Sequence, residues 1–180
     1  GDPIDRAVAV LHSGGVIAVK GIGGYQLACD ARNDAAVQDL RARKHRPDKP
    51  LAVMVLDTSA AHELGVVSQA EQNELNSAAA PIVLVEAKPN SGLAPAVAPG
   101  SPVVGVMLAY TPVHCLLLSG FDGPLVMTSA NRSGEPLAHD QQSIDGLWDL
   151  YDLILDHDRP IDVPCDDSVV RLVGDTLLPI

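Results

Sequence analysis

The apolar positions of the chain fall in short runs separated by glycine, proline and charged turns. Residues 4–11 are apolar at helical spacing and stop at Gly14-Gly15, which predicts a helix ended by glycine. Val16-Ile17-Ala18-Val19 is an uninterrupted apolar run and reads as a buried strand. Lys20 to Gly24 turns the chain into a second extended run, Tyr25 to Cys29. Asn33 is placed to cap a helix running through Ala42, with Val37 and Leu40 facing inward. Leu51 to Leu56 is a further strand. Ser68-Gln69-Ala70-Glu71 has the capping-box spacing and predicts a helix to about Ala79. Pro81 to Val85 is a strand and Pro89 to Pro102 a Gly/Pro-rich loop. Val103–Leu108, Leu125–Thr128, Leu153–Leu155 and Val169–Val173 complete the strands, and Val113–Leu118 and Asp140–Leu150 the helices.

Strands that are apolar on both faces and alternate with helices predict an α/β fold. Its sheet is covered on both sides and largely parallel or mixed. No change of composition and no repeat divides residues 1–180, so one domain is expected. Its ends, Gly1 and Ile180, read as cuts from a longer chain.

Composition narrows the chemistry. Apolar residues make up 47% of the 180 and aromatics only 3%, so the core must be built from Val, Leu, Ala and Ile. The longest apolar stretch, Val103 to Leu118, is interrupted by Tyr110-Thr111-Pro112 and His114. It is shorter than the roughly 20 residues a membrane span needs. Gly1-Asp2-Pro3-Ile4-Asp5 is acidic where a secretion signal would be basic. A soluble cytoplasmic domain with no membrane partner is expected. Cys29, Cys115 and Cys165 include no Cys-x-x-Cys pair and read as reduced structural thiols.

The net charge of −11 disfavours anionic partners on average, but the charge is unevenly spread. Arg41, Arg43, Lys44, Arg46 and Lys49, with Asp48, put +4 on residues 41–49, which leaves −15 on the rest. A cationic segment in so acidic a chain is a local anion trap, for which triphosphate is a natural guest. Cations at a helix end also answer the macrodipole with no ligand at all. Thr128-Ser129-Ala130-Asn131-Arg132-Ser133-Gly134 follows a strand, the place where open α/β sheets bind ligands. Lys20-Gly21-Ile22-Gly23-Gly24-Tyr25 also follows a strand, with glycine spacing that fits neither the Walker A nor the dinucleotide fingerprint. In Cys165-Asp166-Asp167-Ser168, the paired aspartates can hold Mg²⁺ through water or simply be solvated. The six histidines have no metal-ligand spacing, and a Gly-x-Ser-x-Gly elbow is lacking.

Six segments, in order, resemble the YrdC-like domain of the HypF carbamoyltransferases of nickel-iron hydrogenase maturation. They are Lys20–Ala31, Leu40–Met54, Gly105–Pro112, Val126–Pro136, His157-Asp-Arg-Pro160 and Cys165-Asp-Asp-Ser-Val-Val-Arg171. The resemblance runs over essentially the whole chain. It implies a concave, positively lined nucleotide-binding face and formation of carbamoyl-adenylate from carbamate and ATP with Mg²⁺. Carbamate would derive from carbamoyl phosphate. By that resemblance Lys44, Arg46, Lys49, Asn131 and His139 bind ATP and its phosphates. Ser129, Ser168 and Lys20 would bind the carbamoyl substrate, and Asp166 and Asp167 are candidates for the metal. No covalent nucleophile is expected.

The implied partners are the acylphosphatase-like, zinc-finger and transferase domains of a HypF chain, and the protein HypE. Threonylcarbamoyl-AMP synthesis by the tRNA-modifying YrdC branch is the alternative. That branch opens on Pro-Thr-[Asp/Glu]-Thr-x-Tyr where this chain has Lys20 to Tyr25, and often has a histidine where this chain has Met54. Antibiotic O-carbamoyltransferases use the same domain, so the final acceptor stays open. A non-catalytic RNA-binding module, double-stranded RNA included, is disfavoured because aromatic stacking platforms are lacking.

Overall fold

Side-chain caps set where the helices begin. Asp2 accepts from Ile4 N, Asn33 from Ala36 N, Asp57 from Ala60 N and Thr111 from His114 N, while Ser68 and Glu71 form a reciprocal capping box. The computed structural model describes residues 1–174 and 176–180. Its elements run α1 Pro3–His12, β1 Ile17–Lys20, β2 Tyr25–Asp30, α2 Asp34–Lys44, β3 Ala52–Val55, α3 Thr58–Leu64, β4 Gly65–Val66 and α4 Gln69–Leu75. They continue with β5 Ile82–Ala87, β6 Val103–Leu108, α5 Pro112–Phe121, β7 Leu125–Ser129, α6 Gln141–Asp145, β8 Leu153–Leu155, β9 Val169–Val173 and β10 Thr176–Pro179.

The strands form one mixed sheet in the order β10-β9-β5-β6-β3-β7-β2-β1-β8, with β4 added alongside β5. Of the two sheet types expected, mixed is the one realised. Among the described residues, pairs β1–β2, β2–β7, β3–β7, β4–β5, β5–β6 and β9–β10 are antiparallel, and only β1–β8, β3–β6 and β5–β9 are parallel. Both faces are covered. One core gathers Val53, Val55, Val83, Val106 and Val126 with Val37 and Leu40 of α2. The other gathers Ile17, Val19, Met54, Met107 and Leu125 with Leu11 of α1 and Leu117 of α5.

The elements depart from the sequence reading in several places. The helix opened by Ser68 stops at Leu75, capped by Asn76, instead of reaching Ala79. Ala80, at φ 44°, precedes Pro81, a position that disfavours helical backbone. The segment Asp140–Leu150 is not one helix: α6 ends at Asp145 with Gly146 as its cap, and a 3-10 turn follows at Trp148–Leu150. The short elements α3 and β4, and the exposed edge strand β10, carry too little periodicity to be read in advance. Among the described residues no helix is long and apolar enough to cross a membrane.

A long crossing positions the site. Residues 156–168 run from β8 at one edge of the sheet to β9 near the other, past seven strand spacings. That is of order 30 Å against a maximum reach of about 45 Å, so the segment is stretched over the sheet rather than coiled beside it.

Candidate active site

The floor of the site is a row of side chains across four strands. The register pairs Met127 of β7 with Ala52 of β3, Ala52 with Gly105 of β6, and Gly105 with Leu84 of β5. Two of these four are the smallest residues available, so the row is hollow at its centre. A Cβ on Gly105 would stand 2.8 Å from Ile82 Cγ2 and fill that hollow. Over this floor lies a cavity of about 200 Å³, walled by Arg46, Pro50, Thr128, Ser129, Asp166 and Asp167. A second cavity of about 300 Å³ shares Ser129, Asp166 and Asp167 with it. The second reaches Gly23, Gly24, Gln26, Ala78–Ala80, Tyr110 and Ser168. The residues expected to continue α4 thus become a wall of the site.

The crossing segment closes the top. Cys165 N donates to Gly23 O at 3.0 Å, and a side chain on Gly23 would run into the Cys165 carbonyl oxygen. Glycine is required there by close approach. Asp167 Oδ2 accepts from Gln26 Nε2 at 2.7 Å, and Oδ1 from the Tyr110 hydroxyl at 3.3 Å. Burial is the main cause raising the Asp167 carboxyl above its ordinary range, and Asp166 adds to it. The bonds from Gln26 and Tyr110 oppose the rise.

The cationic wall comes from the end of α2. His45 takes the left-handed conformation at φ 52° and ends the helix, which sends Lys44 and Arg46 to different places. The Lys44 side chain is buried, with 2% exposure. Its Nζ donates to Ser129 O at 2.6 Å, Asn131 O at 2.8 Å and Asn131 Oδ1 at 2.6 Å. All three ammonium hydrogens are engaged. Burial, reinforced by Arg46, lowers the Lys44 pKa to about 8. Asn131 Oδ1 also accepts from Ser129 Oγ at 2.9 Å, and its Nδ2 donates to Glu135 O at 2.6 Å. Arg46 reaches the cavity itself. One guanidinium nitrogen donates to Pro50 O at 2.9 Å, and Nε is buried without a hydrogen-bond partner. Burial lowers its pKa.

The residues expected from sequence therefore divide. Arg46, Ser129, Ser168, Asp166 and Asp167 line the cavities. Lys44 and Asn131 stand one hydrogen bond behind Ser129 and hold its loop. Lys49 is exposed on the turn after Arg46 and lines neither cavity. Lys20 is held elsewhere, its Nζ 3.2 Å from Asp156 Oδ1 and donating to His157 O at 2.9 Å. His139 packs its Nδ1 3.3 Å from Leu137 O at the start of α6, outside both cavities. Gln26 and Tyr110 belong to the site although neither was singled out from sequence. The signal for them was their place inside two of the quoted motifs.

Among the described residues no group of three or more His, Cys, Asp or Glu side chains is placed to hold a metal ion. Two neighbouring carboxylates, one of them committed to Gln26 and Tyr110, do not make a protein-only Mg²⁺ site. Asp166, exposed and outside those bonds, is the carboxylate left to meet a cation whose other ligands would come from nucleotide phosphates.

The family model of Sua5, YciO and YrdC, described as telomere recombination, matches residues 9–179, and the chain belongs to that family. Within it the chain is 48% identical over 174 residues to the carbamoyltransferase HypF of Synechocystis sp., covering 96% of this chain and 23% of that protein. It is 35% identical over 161 residues to the threonylcarbamoyl-AMP synthase of Stenotrophomonas maltophilia, covering 85% of each. Full-length HypF, solved in a phosphate- and nucleotide-bound form, superposes with a TM-score of 0.96 at 39% identity. That match covers all of this chain and 24% of the HypF chain. The chain thus spans about a quarter of the length of the HypF proteins it matches, and the relatives named are enzymes.

Proposed function

We propose that this domain adenylates carbamate: carbamate and ATP give carbamoyl-AMP and pyrophosphate. A carbamate oxygen attacks the α-phosphorus of ATP. The new P–O bond forms as the bond from that phosphorus to the bridging oxygen breaks, and pyrophosphate leaves with the electron pair. The observation that carries this reading is the Arg46 side chain, whose buried Nε lacks a partner, in a cavity next to Ser129. Arg46 meets the phosphates, and Ser129 and Ser168 orient the small substrate. Lys44 and Asn131 fix the loop that presents Ser129 and add positive charge behind it. The reaction needs positioning and charge stabilisation rather than a protein nucleophile. Mg²⁺ bound to the nucleotide would neutralise phosphate charge, and Asp166 is the exposed carboxylate that would help to hold it.

Similarity to the HypF carbamoyltransferases supports this reading over others. On it, carbamate comes from carbamoyl phosphate, and further HypF domains hand the carbamoyl group to a thiol of HypE. Similarity to a threonylcarbamoyl-AMP synthase keeps a second reading in play, with bicarbonate and threonine as substrates. ATP–pyrophosphate exchange in the full-length protein separates the two. Exchange driven by carbamate supports the first; exchange driven only by bicarbonate with threonine overturns it.

A further inference from the structure

The wall shared by the two cavities is poor in hydrogen-bond donors. Gln26 is buried, with 4% exposure; its Nε2 donates to Asp167 Oδ2, while its Oε1 has no hydrogen-bond partner. Asp167 receives hydrogen bonds from Gln26 and the Tyr110 hydroxyl. Among the described residues no lysine, arginine or histidine forms an ion pair with it. A carboxylate offers about four acceptor positions, so two remain. In a site for anionic substrates an unpaired carboxylate is a liability unless the ligand brings a donor to it. Buried acceptors left open cost free energy until they are filled.

Adenylation as read above, on which this inference rests, brings one such donor to this place. Arg46 lies in the cavity over the sheet floor, and Asp167 lies where that cavity meets its neighbour. The small substrate must sit at that junction to reach the α-phosphorus. Carbamate carries an amino group whose nitrogen, delocalised into the carboxylate, donates two hydrogen bonds and accepts none. Bicarbonate, of nearly the same size and charge, has a hydroxyl in that position, which donates only once, fills one open acceptor and turns its own lone pairs toward the Asp167 carboxylate.

We propose that Asp167, held in place by Gln26 and Tyr110, accepts a hydrogen bond from the amino group of carbamate and selects carbamate over bicarbonate. The carboxylate does not enter the bond-making step. It fixes which end of the substrate faces the α-phosphorus, because the amino end is drawn to Asp167 and the carboxylate oxygens are left toward the nucleotide. Gln26 acts through Asp167 as a positioning residue.

The test is ATP–pyrophosphate exchange in the full-length protein, run with ammonium carbamate and with sodium bicarbonate at matched total carbon. Isothermal titration gives the ATP dissociation constant alongside. Asp167→Asn replaces one acceptor oxygen by a donor of the same size. It is expected to lower the carbamate-to-bicarbonate ratio about tenfold, with ATP affinity within about twofold of the unsubstituted protein. Gln26→Leu, which frees the Asp167 carboxylate, should shift the ratio the same way by less. Equal loss with both substrates, an unchanged ratio, or a parallel loss of ATP affinity overturns the assignment; the last would place Asp167 on the nucleotide. Absence of carbamate-driven exchange in the unsubstituted protein defeats the adenylation reading and this assignment together. Robust exchange with an unaltered ratio in Asp167→Asn defeats the assignment alone.

Discussion

The Lys44 ammonium donates twice to Asn131, to the side-chain Oδ1 at 2.6 Å and to the main-chain oxygen at 2.8 Å. One residue at the end of α2 thus fixes both the backbone and the side chain of the loop that follows β7. Its third hydrogen goes to Ser129 O, so no donor is left for a ligand while the loop keeps this form.

Lys44→Met should accordingly act on stability first. It removes the ammonium from all three oxygens and leaves Asn131 O without a donor, while Ser129 O keeps Asn131 N and Asn131 Oδ1 keeps Ser129 Oγ, at a cost of about 2–4 kcal/mol in chemical denaturation. A loss under 0.5 kcal/mol would mean that the loop keeps its form without the ammonium.

Arg46→Ala should act on binding instead. The guanidinium lines the cavity, and its one outgoing bond, to Pro50 O, only braces a turn. ATP affinity is expected to fall at least tenfold, with the denaturation midpoint shifted little. Asn131→Ala should weaken ATP binding by a smaller factor through Ser129. Unchanged titration curves for both variants would place the triphosphate elsewhere.

The lowered pKa of Lys44 gives a pH signature with a definite sign. The folded-state value is about 8, below that of an unfolded lysine, so between the two the unfolded chain binds more protons than the folded one. Stability from this group therefore rises as pH climbs through about 8 toward the unfolded lysine value. Phosphate near the ammonium favours its charged form. ATP binding above pH 8 should thus take up protons, which titration in buffers of different ionisation enthalpy measures directly. No uptake at pH 8.5 would put the phosphates out of reach of Lys44.

Gly23→Ala tests the roof of the site. The new methyl meets the backbone carbonyl of Cys165, which no side-chain rotation can relieve, so residues near 165 must shift. A destabilisation of about 1–3 kcal/mol is expected. A larger loss of nucleotide-dependent activity should accompany it, because Asp166 to Ser168 move with Cys165. Full activity would show that the roof tolerates displacement.

Most of the sheet could be read from the chain because its strands are buried on both faces, as in Val53 and Met54 of β3 and Val106 and Met107 of β6. Strand β10 could not, since every position in Thr176–Pro179 is exposed and nothing alternates. The early end of α4 depends on Ala80 before Pro81, a backbone conformation that apolar spacing does not encode. At the site, residue types and motifs marked Arg46, Ser129 and the Asp166-Asp167 pair. Which residues meet was not legible: Gln26 and Asp167 lie 141 positions apart, and only the crossing of 156–168 joins them. Lys20 shows the converse. It ends β1 just before the glycine-rich loop beside the site, yet Asp156 draws its charge away.

The crossing segment has a consequence for the order in which the domain matures. The floor row of Met127, Ala52, Gly105 and Leu84 and the Lys44–Asn131 clamp are all encoded before residue 132, whereas Cys165, Asp166 and Asp167 come near the end of the chain. During synthesis the hollow and its cation are therefore laid down first, and the acidic roof is drawn over them last. A protease cut within 158–164 would leave the polypeptide between β1 and β7 intact. It would, however, untether the wall that carries Asp166 and Asp167 and leave the cavity beside Arg46 open on that side.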